Sequence, residues 1–440
     1  MSSSWPPQHL LRVVQYNVRR FLNAQKESTV PAIAAALTAL NPLPSIICLN
    51  EVDLAKDPSC LTELADALGK AESAQSFPIL GENSSPVATV DSTQTGSRST
   101  STSKAGLDMT GTPVAAETGN EQGTPQNDTS SCYTVSFWGH VRGRYGNAIL
   151  TSQRLFRIVE KKEHHLPGGS VFVFPAGTKK LNGDIAKEGE THTIVRGMLE
   201  LTLGFISAPG SSALGSAQPQ EGPREQLLTI FQTHLDHISE AERETQLSYV
   251  RKQVLAYNAE RMVMLSGDLN SLTRSDYAEA EWTGLEERHK ERGWNLPQSG
   301  CLDHVLLRDA GSGKCLESAG VGEQELGDSS NSSNLLQDSF VASEFIGGSH
   351  LLQDSFATFT ADKKLAIKDL FPREKFTAHV GEPLYRIDYN LVNQNMLQKF
   401  RISNSKILNE IELSDHYPLC VDFMPIGSGS GRSENLEANL

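Results

Sequence analysis

Residues 261 to 271 read "RMVMLSGDLNS". Met262, Val263, Met264 and Leu265 form a short apolar run that reads as a largely buried strand. It ends in a small hydroxyl, a glycine, a carboxylate and then, two residues on, an amide. A carboxylate emerging where a strand leaves the core is strongly disfavoured without a partner. Asp268 therefore either caps the next turn or serves a cleft, with Ser266 and Gly267 keeping the approach narrow.

Outward from this stretch the pattern repeats. Short runs rich in Ile, Val and aromatics stand at 11–18, 45–52, 227–235, 384–392 and 418–423 and predict strands. Residues 31–40 and 60–71 predict helices, and a further helix begins at Ser239. There "SEAE" has the form of a capping box between Ser239 and Glu242, followed by an apolar stripe of Leu247, Val250 and Val254. Alternating strands and helices imply layered sheet and helix packing.

Segments 80–131, 207–223 and 318–334 are rich in small and polar residues and predict disordered insertions, as does a tail at 425–440. Without them, 11–424 is one domain of about 330 residues, within reach of a single α/β fold. "LLQDSF" occurs at 335–340 and again at 351–356, a duplication too short for a solenoid.

The composition, 38% hydrophobic and 21% charged, is that of a soluble globular chain. A net charge of −14 argues against broad electrostatic capture of nucleic acid, so a polyanionic substrate needs a local positive patch or metal ions. The six cysteines are scattered, with no C-x-x-C pair, and read as reduced thiols. The start "MSSSWPPQHL" lacks a secretory pattern, and no apolar run approaches the ~18 residues of a membrane span. A soluble, monomeric, intracellular protein, cytoplasmic or nuclear, is the expectation.

Polar residues cluster at the strand ends: Asn17, Glu51, His234, Asp236, His237, Asp268, Asn270, Asp388, Asp415 and His416. Singly, each has an ordinary structural role, such as a turn, a helix cap or a satisfied rim histidine. Together they supply what metal-assisted phosphodiester hydrolysis needs. Carboxylates hold a hard cation such as Mg2+, a carboxylate or imidazole orients the attacking water, and neutral amides steady the developing charge. "HLDH" has no Cys or further His at zinc spacing, and "GSGKC" (311–315) lacks the glycine and hydroxyl of a phosphate loop.

"QYNVR", "ICLNEV", "RYGNAILTS", "THLDHISEAERETQ", "GDLNS", "RIDYNLV" and "LSDHYPL" occur in an order and spacing that resemble the endonuclease/exonuclease/phosphatase superfamily over residues 11–424. The resemblance implies an α/β fold, a four-layer α/β sandwich of the deoxyribonuclease I type, with two mixed sheets face to face, helices outside and a cleft at one sheet edge. It implies Glu51 as the main Mg2+ ligand (Mn2+ being the alternative ion), with Asn17 beside it and Asp415 holding metal-bound water. Asp268 would align or deprotonate the water. Asn270 would contact a phosphate or a metal-bound water, His234 would hydrogen-bond a nonbridging phosphate oxygen, and His416 would sit over the scissile phosphate.

In this family an aspartate in a motif resembling "DSF" lies behind the histidine. Asp338 and Asp354 both qualify, and Asp354, nearer "FTAHVG" (376–381), is the choice. Asp388 would fix its strand end and the neighbouring arginine. Arg142, Arg144, Arg196 and Arg386 fall near the family's motifs and either line a phosphate cleft or are solvated or salt-bridged arginines; Arg196, Arg386 and His237 are the candidate substrate-binding residues, and His164 and His165 read as loop residues. Asn50 stands where the family has glutamine, and Asn390 where it is more often apolar. The implied activity is a Mg2+-dependent, nuclease-like phosphodiester hydrolase using a directly activated water. The alternatives are a phosphatase or phosphodiesterase acting on an inositol phosphate or lipid headgroup, and a noncatalytic scaffold of the same fold.

Overall fold

The computed structural model describes residues 10–76, 132–177, 185–206, 226–258, 260–291, 295–304 and 351–426. The insertions at 80–131, 207–223 and 318–334, the first "LLQDSF" copy, Asp338 and the "GSGKC" stretch lie outside the described residues. So does the predicted tail from 427 onward, whereas Pro425 still belongs to the last strand.

The strands in chain order are β1 (Leu11–Asn17), β2 (Ile46–Asp53), β3 (Tyr133–Val141), β4 (Tyr145–Ser152), β5 (Phe156–His165), β6 (Val171–Val173), β7 (Thr191–Thr193), β8 (Gly197–Phe205), β9 (Leu227–His234), β10 (Met262–Asp268), β11 (Gln353–Asp354), β12 (Asp388–Val392), β13 (Phe400–Ile407) and β14 (Leu419–Pro425). Two six-stranded sheets result, in the orders β13-β14-β1-β2-β4-β3 and β11-β12-β10-β9-β8-β5, with β6 and β7 forming a small ribbon. Both large sheets are mixed: β1–β2 and β9–β10 pair parallel, and the other pairings are antiparallel.

Strand alternation builds the layers. Val13, Ile46, Ile149, Leu201, Ile230, Met262 and Met264 point between the sheets into one core. Val14, Ile47 and Leu49 point the other way, against α1 (Val30–Thr38) and α2 (Cys60–Ser76). On the far side, Phe231, Val263 and Leu265 pack on Leu247, Val250 and Val254 of α3 (Glu240–Asn258). Helix, sheet, sheet and helix make the expected four-layer α/β sandwich. Because the middle of each sheet is covered on both faces, the central strands read as near-continuous apolar runs.

Three local expectations change. The strand predicted at 384–392 is confined to Asp388–Val392, because Arg386 turns inward to a buried ion pair with Asp276. His164 and His165 lie on β5 and not in a loop. There His164 Nε2 is 2.8 Å from Glu200 Oε2 and its Nδ1 is 3.1 Å from the Tyr249 hydroxyl. The box at Ser239 is half formed: Ser239 Oγ accepts from Glu242 N at 3.4 Å, but the Glu242 carboxylate takes Gly169 N at 2.7 Å. The Ser239 amide is instead held by Asp236 Oδ1 at 2.9 Å.

Candidate active site

Strand register delivers the site. In the second sheet Asp268 pairs with His234 on one side and Asp388 on the other, so three functional side chains stand abreast at one sheet end. Facing them, Asn17 pairs with Asn50 at the ends of β1 and β2. The next residue, Glu51, sits where the β2–β4 register shifts between Leu49 and Val52, and its φ of 58° takes it out of strand alternation. A bulge at a strand end re-aims a side chain, and here it turns Glu51 toward the other sheet.

Asp268 is the hub. Its Oδ2 accepts from Asn17 Nδ2 at 3.0 Å and lies 3.6 Å from His234 Nε2 and 3.7 Å from His416 Nε2. Its Oδ1 accepts from Asn270 N at 3.1 Å. Asn17 Nδ2 also donates to Glu51 Oε1 at 3.2 Å, so one amide ties two carboxylates together. Burial, and then the charge of Asp388, push the Asp268 carboxyl up to about 7.

His416 Nδ1 lies 2.8 Å from Asp388 Oδ2. Burial opposes the charged imidazole, but Asp388, Asp268 and Asp415 outweigh it and raise His416 to about 10. Asp268, Asp388 and His416 bring ligand atoms within 4.8 Å of one another, a spacing that also suits a metal. The trio also has the form of a relay, with a hydrogen bond from His416 Nδ1 to Asp388 and a 3.7 Å ion-pair contact from His416 Nε2 to Asp268. Outside the trio, Glu51 supplies the carboxylate and Asn17, hydrogen-bonded to it, the amide that could hold a cation. Carboxylate and amide oxygens are hard donors of the kind Mg2+ or Mn2+ takes, and Glu51 keeps 24% of its side chain exposed.

Arg196 is 5% exposed, and its hydrogen-bonding neighbours are histidines: Nη1 reaches His234 Nδ1 at 3.2 Å and Nη2 reaches His237 Nδ1 at 2.9 Å. A guanidinium only donates, so both Nδ1 atoms accept and the imidazole protons lie on Nε2. That aims the His234 N–H at Asp268. Burial, and then the arginine charge, hold both histidines below their ordinary range. Among the described residues no carboxylate lies within 4.0 Å of Arg196, and its Nε has no partner. A buried cation without a counter-ion is costly, and an anionic ligand supplies one.

A polar layer between the sheets supports these groups. Gln15 Nε2 donates to Asn50 Oδ1 at 2.7 Å, and Asn50 Nδ2 to Asn147 Oδ1 and Thr233 O, both at 2.9 Å. Asn50 Oδ1 also takes the Asp268 amide at 2.9 Å, so the shorter amide is fully used. Asn390 accepts from Ser266 Oγ at 2.8 Å, which makes it part of this layer.

Some expected roles move. Asp354 does not reach His416: it caps α5 (Ser355–Asp362) by accepting from Phe356 N at 3.0 Å, and it pairs with Arg386. Asp388 holds the imidazole instead. Arg386 is 1% exposed, its Nη1 lies 2.6 Å from Asp276, and it is sandwiched between the Phe356 and Tyr389 rings, so it braces the wall and does not face a substrate. Asp415 pairs with Arg19 Nε at 3.4 Å. Asn270 faces the strand end, donating to Leu235 O at 3.1 Å. Tyr145, quoted within "RYGNAILTS" but given no role, puts its hydroxyl against the Glu51 carboxylate. His140 was also missed: it is 6% exposed, with neither ring nitrogen hydrogen-bonded. Both precede or end ordinary strand patterns, so no local signal marks them.

No family model and no curated protein matches the chain. Solved structures do. The human Nocturnin catalytic domain with bound sulfate is 13% identical, with 95% of each chain covered and a TM-score of 0.44. An endonuclease/exonuclease/phosphatase from Bacteroides vulgatus is 12% identical, covering 95% of this chain and 100% of that one, with a TM-score of 0.45. Humanized D. rerio TDP2 is 12% identical, covering 94% and 98%, with a TM-score of 0.44. At such values the chemistry has to be read from the side chains themselves.

Proposed function

We propose that this chain is a divalent-metal-dependent phosphoester hydrolase of the endonuclease/exonuclease/phosphatase type, acting on a phosphodiester. The observation that carries the reading is the relay Asp388–His416–Asp268, tied through Asn17 to Glu51. Asp268, raised toward neutrality, is matched to taking a proton from water, because a base works best with a pKa near the working pH. His416, protonated and braced by Asp388, donates from Nε2 to a phosphoryl or leaving-group oxygen. The His234 N–H and Arg196 supply further donors, and the lack of a carboxylate beside Arg196 among the described residues supports an anionic substrate. Mg2+, or Mn2+ in its place, held by Glu51 and Asn17, would neutralise phosphate charge. No covalent intermediate is required.

The test is Mg2+-dependent hydrolysis over a panel: abasic and single-stranded DNA, poly(A) RNA, a 5′-tyrosyl phosphodiester, sphingomyelin, inositol polyphosphates and bis(p-nitrophenyl) phosphate. Activity on at least one member, abolished in Glu51→Ala and Asp268→Asn, supports the reading. A folded protein inert on all of them, with a melting point that Mg2+ leaves unmoved, supports a scaffold instead.

A further inference from the structure

One wall of the cleft carries polar atoms that the fold leaves unserved. His140 is 6% exposed and neither ring nitrogen has a hydrogen-bond partner, and Arg196, 5% exposed, has an unpartnered Nε. A buried donor or acceptor left unpaired costs its full desolvation. Such atoms call for a group that is bound there.

The two residues are brought together by a close approach of strands. Gly197 opens β8 directly after Arg196, and a Cβ on it would lie 1.8 Å from Trp138 Cζ3 and 2.9 Å from His140 Cβ. The glycine therefore lets both β3 side chains lie on the backbone that carries the arginine. On one side of His140 the Trp138 ring lies 5.6 Å away, covered in turn by the exposed His165 at 5.1 Å. On the other the Tyr145 ring meets it edge-on at 5.9 Å, and the Tyr145 hydroxyl rests against Glu51. His140 thus stands in the wall between Arg196 and the Glu51 side of the centre.

The unserved atoms have a definite chemistry. Burial, and then the Arg196 charge, keep His140 neutral by lowering it to about 3. A neutral imidazole offers one N–H and one bare nitrogen, and Arg196 Nε offers a second N–H. A phosphate oxygen only accepts, so it leaves the bare nitrogen unserved. A hydroxyl accepts from an N–H and donates to that nitrogen, which satisfies both kinds of atom.

We infer that His140, with Arg196 Nε, binds a hydroxyl on the carbon next to the one that bears the cleaved phosphate, so that the substrate is a phosphodiester of a vicinal diol. The inference rests on the phosphodiesterase reading above and specifies its substrate class. Arg196 Nη1 and Nη2 lie against His234 and His237, so phosphate and hydroxyl are read from different edges of one rigid plane. That places the two recognised oxygens a few ångströms apart, as on neighbouring carbons. A ribonucleotide and a cyclic polyol both present this arrangement.

The deciding experiment uses the full-length protein with Mg2+ on two matched sets. One is uridylyl-(3′→5′)-uridine, its 2′-O-methyl form and thymidylyl-(3′→5′)-thymidine; the other is the p-nitrophenyl esters of myo-inositol 1-phosphate and of cyclohexyl phosphate. Bis(p-nitrophenyl) phosphate accompanies them. In at least one set the hydroxyl-bearing member has a kcat/KM about 10–100-fold above its hydroxyl-free partner, and the set that responds tells ribonucleotide from cyclic polyol. If the first set responds, the 2′-O-methyl form, which accepts but cannot donate, falls with the thymidine dinucleotide. His140→Phe keeps a ring and no polar atom, and removes most of the preference. His140→Gln, whose amide offers a donor and an acceptor, restores part of it. A residue that only fills space would be served as well by phenylalanine, and the preference would stay.

Equal turnover within both sets by the parent protein overturns the inference, whether or not the variants fold. A 2′-O-methyl form cleaved as fast as the uridine dinucleotide overturns donation to the imidazole, and a preference undiminished in folded His140→Phe overturns the assignment to His140. Hydrolysis of bis(p-nitrophenyl) phosphate alone overturns this inference and leaves the proposed function standing. Inertness toward all the probes removes both.

Discussion

Asp388 decides what His416 can do. An imidazole whose Nδ1 is fixed by a buried carboxylate keeps its orientation and its proton, and the other nitrogen is left to act. Asp388→Asn preserves the shape and removes the charge, so kcat should fall by about 10²–10⁴-fold with little change in KM. Steady-state kinetics on whichever panel member is hydrolysed, with circular dichroism as a control for folding, checks this. His140 answers to a different measurement. Burial, and then the Arg196 charge, lower it to about 3, so the folded protein refuses a proton that the unfolded chain accepts below about pH 6.5. Its contribution is therefore intact above pH 6.5 and is lost as pH falls from there toward 3. In His140→Phe, urea unfolding followed from pH 7 to 4 should show a slope shallower by one proton, about 1.4 kcal/mol per pH unit. An unchanged slope would mean that His140 gains a proton while folded. Neither role is legible in the sequence. Asp354 and Asp388 both follow plausible motifs, and which of them reaches an imidazole depends on strand register, a quantity with no local signature.

Among the elements, β10 shows how much a strand end demands of its sequence. Gly267 has φ 150°, and a Cβ there would lie 1.9 Å from Thr233 O on β9. The tight approach sets Asp268 beside His234, so Gly267→Ala must push the two strands apart or bend β10. A loss of about 2–4 kcal/mol in urea unfolding is expected, together with loss of hydrolysis. A variant as stable as the parent would show that the strand end yields easily. The strands around this one were readable because both faces are covered and their apolar runs are nearly unbroken. By contrast β5 lies at a sheet edge, with Glu160, Lys161, Lys162 and Glu163 in succession, and carries no such run. β12 was predicted too long because "LYRI" looks like strand, whereas Arg386 spends its charge on Asp276 and Asp354 inside the wall.

For the molecule as a whole, the described residues on either side of the largest insertion lie close together. Ser73 Oγ and Cys132 Sγ are 3.6 Å apart, so the chain leaves and re-enters at one place. Replacing residues 77–131 with a linker of about six residues should keep the fold and raise stability by about 2 kcal/mol, the difference in closure entropy between a long and a short loop. Thermal and urea unfolding of the shortened chain test it, and a loss of stability or hydrolysis would assign the segment a structural or functional part. The amino-acid sequence on its own determined the strand cores, their layered packing and the polar residues at their ends, because apolar periodicity and a carboxylate just beyond it are local properties. Only the tertiary structure decided the partners: Asp388 behind His416, Arg386 sealed in the wall, and Arg196 buried against two histidines with, among the described residues, no carboxylate beside it. Those choices depend on contacts of 2.6 to 3.2 Å across strands and sheets. Such separations are set by register and burial, and distance along the chain carries no record of them.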